Sequence, residues 1–353
     1  MDIWNNDLLH YKQAAIYNAG EYGVVNATLS CDNPATSVFF LDFFNDNVKI
    51  GKGLVSLQRA QAFYSSPLIK TGLKGIAPFF RSITWCRGPL ILEPVFQDEA
   101  IEYFLDWVDI LAKKTGAFSV EGATSPAYFN NDVDTGNEIY EKFGYAKMPM
   151  ATVVLELDRF KTKDDCWKNI TEDARTKVKK ALKDRIEIIE DTNLEFLSDF
   201  IKLHQKSGYP NLPFYKDESL FKRVANIYNS GNMCRLFVSR KDGRILSGQV
   251  LFTFNRAIVL EGVIISDIVR KNRWYANDLM QWYIINWAKE NDFRLIDWGG
   301  FSLSPTKKEE QINNFKLKWG GSVCRFYAYS KSFISWKYGF LNFLKRLKGN
   351  RDT

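Results

Sequence analysis

The chain has 353 residues, 46% of them apolar and 25% charged, which suits two globular domains of ordinary composition. No stretch approaches the roughly 18–20 uninterrupted apolar residues of a membrane-spanning helix, so an integral membrane protein is excluded on this reading. The net charge of +7 is uneven: from Lys331 onward six basic residues face only Asp352, a net +5, which leaves +2 for residues 1–330 and argues against a nucleic-acid-binding face on the body.

The N-terminal segment MDIWNNDLLHYKQAA lacks a basic region followed by an apolar run, so no signal peptide is expected. The next apolar stretch, SVFFLDFF, is short and interrupted. In TWCRGPLILEP, Arg87–Gly88–Pro89 separates two strand-like runs. Pro89 fixes its own φ and holds Gly88 extended, the pattern of a structural turn. DEAIEYFLDWVDILAKKTG predicts a helix, because Ile101, Phe104, Leu105, Val108 and Leu111 recur at three- and four-residue spacing and Gly116 follows as a stop. AFSVEGA predicts a strand, TGNEIYEKFGYAKM a short helix broken at Gly144, and MATVVLELD a strand rich in β-branched residues.

A polar stretch near Asp158–Lys163 marks the expected boundary between two tightly packed halves. In DDCWKNITEDARTKVKKALKDRIEIIED, Trp167, Ile170, Ala174, Val178 and Ala181 form one apolar helical stripe. Arg175, Lys177, Lys179, Lys180 and Lys183 cover the rest. Such a face is either simply solvated or an anion site, since guanidinium grips oxyanions bidentately and lysine supplies point charge. LEFLSDFIKLHQKSG and SLFKRVANIYNSG predict helices. MCRLFVSRKDGRILSGQVLFTFNRAIVLEGVIIS predicts a strand meander turning at Asp242–Gly243. NDLMQWYIINWAKENDF predicts a helix, with Leu279, Trp282, Tyr283, Ile285 and Trp287 on or near one face. RLIDWGG predicts a strand running into glycines; a loop is expected after it, and then NFKLKWGG.

Helical and strand patterns alternate throughout, so the fold class is α/β with mixed sheets. The element order of the first half recurs in the second without a sequence repeat. The expected organisation is a first domain over 1–158, a second over 159–330, and a basic, aromatic tail over 331–353. In the tail Ile334, Tyr338, Leu341, Leu344 and Leu347 follow helical spacing. It reads equally as a helix docked on the body or as one lying on an anionic membrane surface.

Five cysteines, Cys31, Cys86, Cys166, Cys234 and Cys324, show no C-x-x-C spacing and an odd count. Neither a disulfide framework nor a zinc site is expected, and reduced thiols fit a cytoplasmic location. Neither His10 nor His204 lies in a motif, and no Ser-His-Asp order or Cys-His pairing supports a covalent intermediate. Aromatics reach 15%, enough to fill a bulky core and also to line a groove.

Several segments, taken in order, resemble the Fem-type aminoacyltransferases of the GNAT superfamily. CRGPLI is similar to that family's Y-x-R-G-P turn and FGYAKM to its x-x-G-F. TVVLELDRFKTKDDCWKNI and DARTKVKKALK are similar to the opening of its second domain. IDWGGF followed by NNFKLKWGG resembles Y-D-F-G-G-I and F-K-x-G-F-G-G, the most specific match. The matches run from about Trp85 to Ser322, and the first 80 residues match loosely. The resemblance implies two tandem GNAT-like domains. It also implies transfer of an activated amino acid from aminoacyl-tRNA to an amino group on a muropeptide or similar acceptor, with no metal or bound cofactor. Related two-domain GNAT proteins use acyl-CoA. Their R-x-x-G-x-A loop aligns with DIVRKNRWYANDLM, which places Lys271 at the Arg, Trp274 at the Gly and Ala276 at the last position. A tryptophan there obstructs a pyrophosphate approaching backbone amides, which favours aminoacyl-tRNA without removing acyl-CoA as the alternative. A binding module that kept the groove and lost the chemistry is a third reading.

Amine attack on an ester carbonyl needs the reactants held in line, a proton removed and an oxyanion stabilised. Asp297 is the expected residue to orient or accept a proton, with a buried acceptor for backbone N–H groups as its rival role. Lys316 is expected to steady anionic charge as the second catalytic residue. Lys318 is expected to do the same for donor or acceptor. Arg87, Arg175 and Lys179 are candidates for phosphate or carboxylate, and Trp85, Trp298, Phe301 and Trp319 for packing on sugar or base rings, with plain core packing as the alternative for each aromatic.

Overall fold

A computed structural model of the chain describes residues 37–59, 79–126, 138–206, 218–229, 232–334 and 336–337. The first half supplies β1 (Ser37–Asn45), β2 (Val48–Arg59), β3 (Arg81–Trp85), β4 (Leu90–Ile91), α1 (Gln97–Thr115), β5 (Ser119–Ala123), α2 (Glu138–Lys142) and β6 (Ala146–Glu156). The second half opens with α3 (Lys163–Asn169), α4 (Glu172–Lys183), β7 (Glu187–Glu190), α5 (Leu197–Lys206) and α6 (Glu218–Asn229). It continues with β8 (Cys234–Lys241), β9 (Arg244–Phe254), β10 (Ala257–Ile265), α7 (Asp267–Asn272), α8 (Ala276–Glu290), β11 (Leu295–Gly300), α9 (Lys307–Leu317) and β12 (Ser322–Ser332).

The twelve strands among the described residues form one sheet, in the order β1-β2-β3-β5-β12-β6-β11-β10-β9-β8-β7 with β4 paired to β2. The order reads the same way outward from the β12–β6 pair. On one side antiparallel β5 is followed by a parallel neighbour, β3; on the other antiparallel β6–β11 is followed by parallel β10. In both places the parallel pair brackets a long helix, α1 or α8, because parallel neighbours need a crossover connection. The likeness of element order between halves is therefore a likeness of topology, as expected of an α/β fold with twin units. The line at residue 158 divides the sequence but not the sheet. β12, the last strand of the second half, lies between β5 and β6 of the first. Lys331, where the basic, aromatic tail is expected to begin, is inside β12 and pairs with Asp109 of α1. Lys337 donates to the Phe79 carbonyl at 2.7 Å. The tail from residue 338 on lies outside the described residues, as does His10.

Side-chain alternation divides the core. In β8, Leu236 and Val238 enter the layer under α5 and α6, whereas Phe237 enters the layer under α3, α4 and α8. A third core lies between α1 and the first-half strands and includes Tyr329 of β12. Gly116 ends α1 in the left-handed region, φ 64°, as its stop signal requires. Two local expectations change. The stripe from Trp167 to Ala181 is not one helix: α3 ends at Asn169, Ile170 is extended, and Thr171 caps α4 through the Ala174 N–H. The loop expected after the first Gly pair contains α9, opened by a reciprocal cap between Thr306 and Glu309.

Trp85 is 6% exposed and meets Phe104 and Tyr145 edge-on. A Cβ at Gly122, its neighbour across the β3–β5 pair, would sit 2.0 Å from the indole ring. Gly122→Ala is therefore expected to cost about 1–3 kcal/mol, as overpacking does, seen as a lower urea midpoint.

Among the described residues no helix is long and apolar enough to cross a membrane. Cys166, Cys234 and Cys324 are buried free thiols.

Candidate active site

The sheet opens where β10 and β11 part. They run in parallel register for three residues, Ala257↔Leu295, Ile258↔Ile296 and Val259↔Asp297. Beyond that point β10 follows β9 to Ile265, and β11 next pairs with β6 at Gly300↔Thr152. Both strands are irregular at the mouth. β10 carries a register shift between Glu261 and Val263, and β11 one between Asp297 and Gly300. Bulges of this kind end pairing and re-aim side chains.

Asp297 has no exposed surface. Its Oδ1 accepts from the Gly299 N–H at 2.7 Å, closing a local turn, and from the Thr152 hydroxyl. Its Oδ2 faces Arg87 at 3.8 Å. Of the two roles the sequence offered Asp297, this geometry is that of the buried acceptor. Gly299 takes φ 72°, a value that favours glycine. Lys316, near the end of α9, donates to the Gly299 carbonyl at 3.1 Å and to that of Gly300. Burial presses the Lys316 ammonium below the ordinary lysine range, while Asp297 and Glu261 pull it back up.

Glu261 was not identified from sequence. It stands at the β10 bulge, mostly buried. Burial pushes its carboxyl up to about 7, the Asp297 charge adding to the rise and Lys316 opposing it. The signal was present: RAIVLEGVII holds a single acid inside an apolar strand run, where an unpaired charge is costly.

The other candidates divide. Arg87 is brought to the site but is 7% exposed; its guanidinium lies 4.1 Å from the centre of the Phe326 ring and beside Asp297. It therefore reaches across from the first half to hold Asp297 and is not presented to an incoming anion. Phe301 follows the turn, its N–H bonded to the Ala151 carbonyl at 2.8 Å and its ring packed on the second-half core. Trp298 is a core residue whose indole N–H donates to Gln281 at 2.9 Å. Trp85 belongs to the first-half core, and Trp319, with no exposed surface, to the second-half core. Arg175 turns one nitrogen to the carbonyls of Trp167, Lys168 and Ile170, at 3.3, 3.3 and 2.5 Å, and so caps α3. Lys179 lies on the exposed face of α4. Lys318 pairs with Asp278 in the first turn of α8 and lies over the Phe315 ring at 4.4 Å. His204 is buried on α5, where burial lowers its pKa. The second Gly pair packs against α3, where Asn169 donates to the Gly320 carbonyl at 3.1 Å.

The residues brought together are thus Glu261, Asp297, Lys316 and Arg87 at a strand fork, with Phe301 beside them. α8 packs under Ile296 and Trp298, on the face of β11 opposite Asp297, and its first turn is closed. Ala276, Asn277 and Asp278 there are all buried, at 0%, 5% and 7% exposure. Tyr275 precedes them in the left-handed region, with Lys180 5.0 Å from its ring centre.

Residues 168–312 match the model of the acetyltransferase (GNAT) domain family. No curated protein matches the chain by sequence. Among solved structures, FemX is similar at a TM-score of 0.70 and 15% identity, covering 96% of this chain and 98% of that one. The C-terminal domain of a putative lysylphosphatidylglycerol synthetase from Agrobacterium fabrum has a TM-score of 0.53 and 11% identity, with 90% of each chain covered. A tandem GNAT protein from the clavulanic acid biosynthesis pathway has a TM-score of 0.52 and 12% identity, with 87% of each covered. Residues 168–312 thus match the GNAT domain family, and the chain as a whole shares the α/β fold of FemX.

Proposed function

We propose that the chain transfers an activated amino acid from aminoacyl-tRNA to an amino group of a cell-wall precursor peptide or a similar acceptor. The observation that carries this is the meeting of a carboxyl titrating near neutrality, Glu261, with a lysine held on two carbonyls, Lys316, where two parallel strands part. The acceptor amine attacks the ester carbonyl, forming a C–N bond and moving the carbonyl electron pair onto oxygen. An ammonium has three donors, two of which Lys316 spends on the Gly299 and Gly300 carbonyls; the third faces the oxyanion. Glu261, as carboxylate, takes the proton that the attacking nitrogen loses. Collapse breaks the bond between the acyl carbon and the ribose oxygen, and that oxygen leaves with the proton Glu261 returns. Asp297, held by Arg87, Thr152 and Gly299, shapes the turn that presents the two carbonyls to Lys316.

The closed first turn of α8 supports a donor other than acyl-CoA. An anion is favoured at a helix N-terminus, and here Asp278 supplies one from within and is matched by Lys318. The acetyltransferase description of the matched family favours the alternative donor, acyl-CoA. A cytoplasmic location, and contact with an anionic membrane through residues 331–353, belong to the same reading of a charged-tRNA donor and a lipid-linked acceptor.

The test offers tRNAs charged with labelled amino acids and a nucleotide-linked muropeptide to the purified protein. Label is expected in the peptide, with Lys316→Ala lowering the single-turnover rate about 100- to 1,000-fold, as loss of one oxyanion donor does. An unchanged rate in a folded variant removes Lys316 from the mechanism. No transfer from any charged tRNA, with a saturable rise in Tm on adding acetyl-CoA, assigns the donor to the thioester class.

A further inference from the structure

Behind the strand fork runs a line of buried amides that the transfer chemistry does not use. The Trp298 indole N–H donates to Gln281 Oε1 at 2.9 Å. Gln281 Nε2 donates to Gln249 Oε1 at 3.2 Å. Gln249 Nε2 then donates to two carbonyls, that of Glu261 at 3.2 Å and that of Val250 at 3.3 Å. Gln281 is 1% exposed, Gln249 2% and Trp298 6%. The direction of every bond is fixed by its ends. An indole nitrogen only donates and a carbonyl only accepts, so neither glutamine amide can be reversed without leaving two donors or two acceptors face to face.

The path links four elements. Trp298 is in β11, next to Asp297. Gln281 is in the middle of α8. Gln249 is in β9, and the bond to the Glu261 carbonyl lands on β10 where its register shifts. The relay therefore ties the two diverging strands together through the helix that crosses between them. Resting on the reading of Glu261 as proton acceptor, we infer that Trp298, Gln281 and Gln249 form a positioning relay that fixes the β10 bulge and so holds the Glu261 carboxyl at the mouth of the fork. Buried polar chains of this kind set a geometry when fully satisfied and fail as a unit when one member is removed. The charged groups facing Glu261 are Asp297 from β11 and Lys316 from α9, with Arg87 behind Asp297. None belongs to the relay, so altering the relay leaves that set of charges in place.

The experiment labels glutamate side-chain carboxyls with carbon-13 and follows their titration in the intact protein, with the Glu261 signal assigned by its loss in Glu261→Gln. In the wild-type protein it is expected to titrate near 7. In Gln249→Met or Gln281→Met, which keep volume and remove the amide, the bulge is released and the carboxyl reaches water. Its midpoint is then expected to fall by about one unit or more toward the ordinary glutamate range, with the single-turnover rate falling about tenfold or more and its acid limb moving with the midpoint. Trp298→Phe breaks only the far link and serves if a glutamine variant fails to fold; a smaller shift in the same direction is expected. A folded variant whose Glu261 midpoint stays within about 0.3 units of wild type overturns the relay while leaving Glu261 as base. A midpoint that moves in a protein that transfers nothing upholds the relay and removes the base. A wild-type midpoint already near 4–5 removes both.

Discussion

Asp297→Ala is expected to destabilise the folded chain by about 3–5 kcal/mol, the loss seen when one partner of a buried ion pair is removed and the other charge stays behind. The side chain is fully buried and serves three groups from three elements: Arg87 from the first half, Thr152 of β6, and the Gly299 N–H of its own turn. Alanine satisfies none of them. Asp297→Asn keeps an oxygen for Thr152 and Gly299 but loses the charge facing Arg87, so a smaller loss is expected. The pair Arg87→Met with Asp297→Leu removes both charges together and is expected to be more stable than Asp297→Ala alone, because no buried charge is left unmatched. Urea unfolding at constant pH measures all three. If Asp297→Ala lowered stability by less than about 1 kcal/mol, the tie between the halves would not rest on this carboxylate.

Much of the architecture is legible in the sequence because it is carried by local periodicity. The helix over Gln97–Thr115 and its Gly116 stop, the meander from Cys234 to Ile265, and the helix over Ala276–Glu290 all follow from spacing and turn residues. The Asp242–Gly243 turn, with both residues at positive φ, is a two-residue hairpin of the expected kind. Pairing between distant strands is not local, and this is where the sequence falls silent. Nothing in SVCRFYAYSKS says that it inserts between β5 and β6, since any strand edge of matching pattern would accept it. The site shows the same division. The Gly-framed segments around Asp297 and Lys316 marked the right region because glycine pairs signal unusual backbone. Arg175, Lys318, Trp85 and Trp298 carried the expected side-chain chemistry but are spent on a helix end, an ion pair, a core and a relay. Glu261 is marked in the sequence only as a single acid in an apolar strand; its role needs the two neighbours, from β11 and α9, that face it.

Glu261→Gln is expected to move stability and activity in opposite directions. In the wild-type protein burial, with help from Asp297, raises the carboxyl to about 7, above the roughly 4.3 of a glutamate in the unfolded chain. A group whose folded pKa is raised binds its proton more tightly in the folded state. Its contribution to stability is therefore fully present below about pH 4.3 and is lost as pH rises through 7, after which no further loss follows. Glutamine cannot ionise and escapes that loss. The stability of Glu261→Gln relative to wild type should then grow between pH 5 and pH 8 by an amount on the order of 1–3 kcal/mol, and be flat above. Transfer runs the other way: wild-type activity should rise through pH 7 as the carboxyl ionises, and the variant should lose that limb and about 100- to 10,000-fold in rate. Paired thermal or urea unfolding and single-turnover rates across pH 5–9 give both curves. A glutamate kept only for packing would lose stability on substitution and leave the rate nearly untouched. One kept for proton transfer is a group the fold tolerates at a cost above pH 7, and a variant more stable than wild type at pH 8 yet unable to transfer is the combination that only the second role produces.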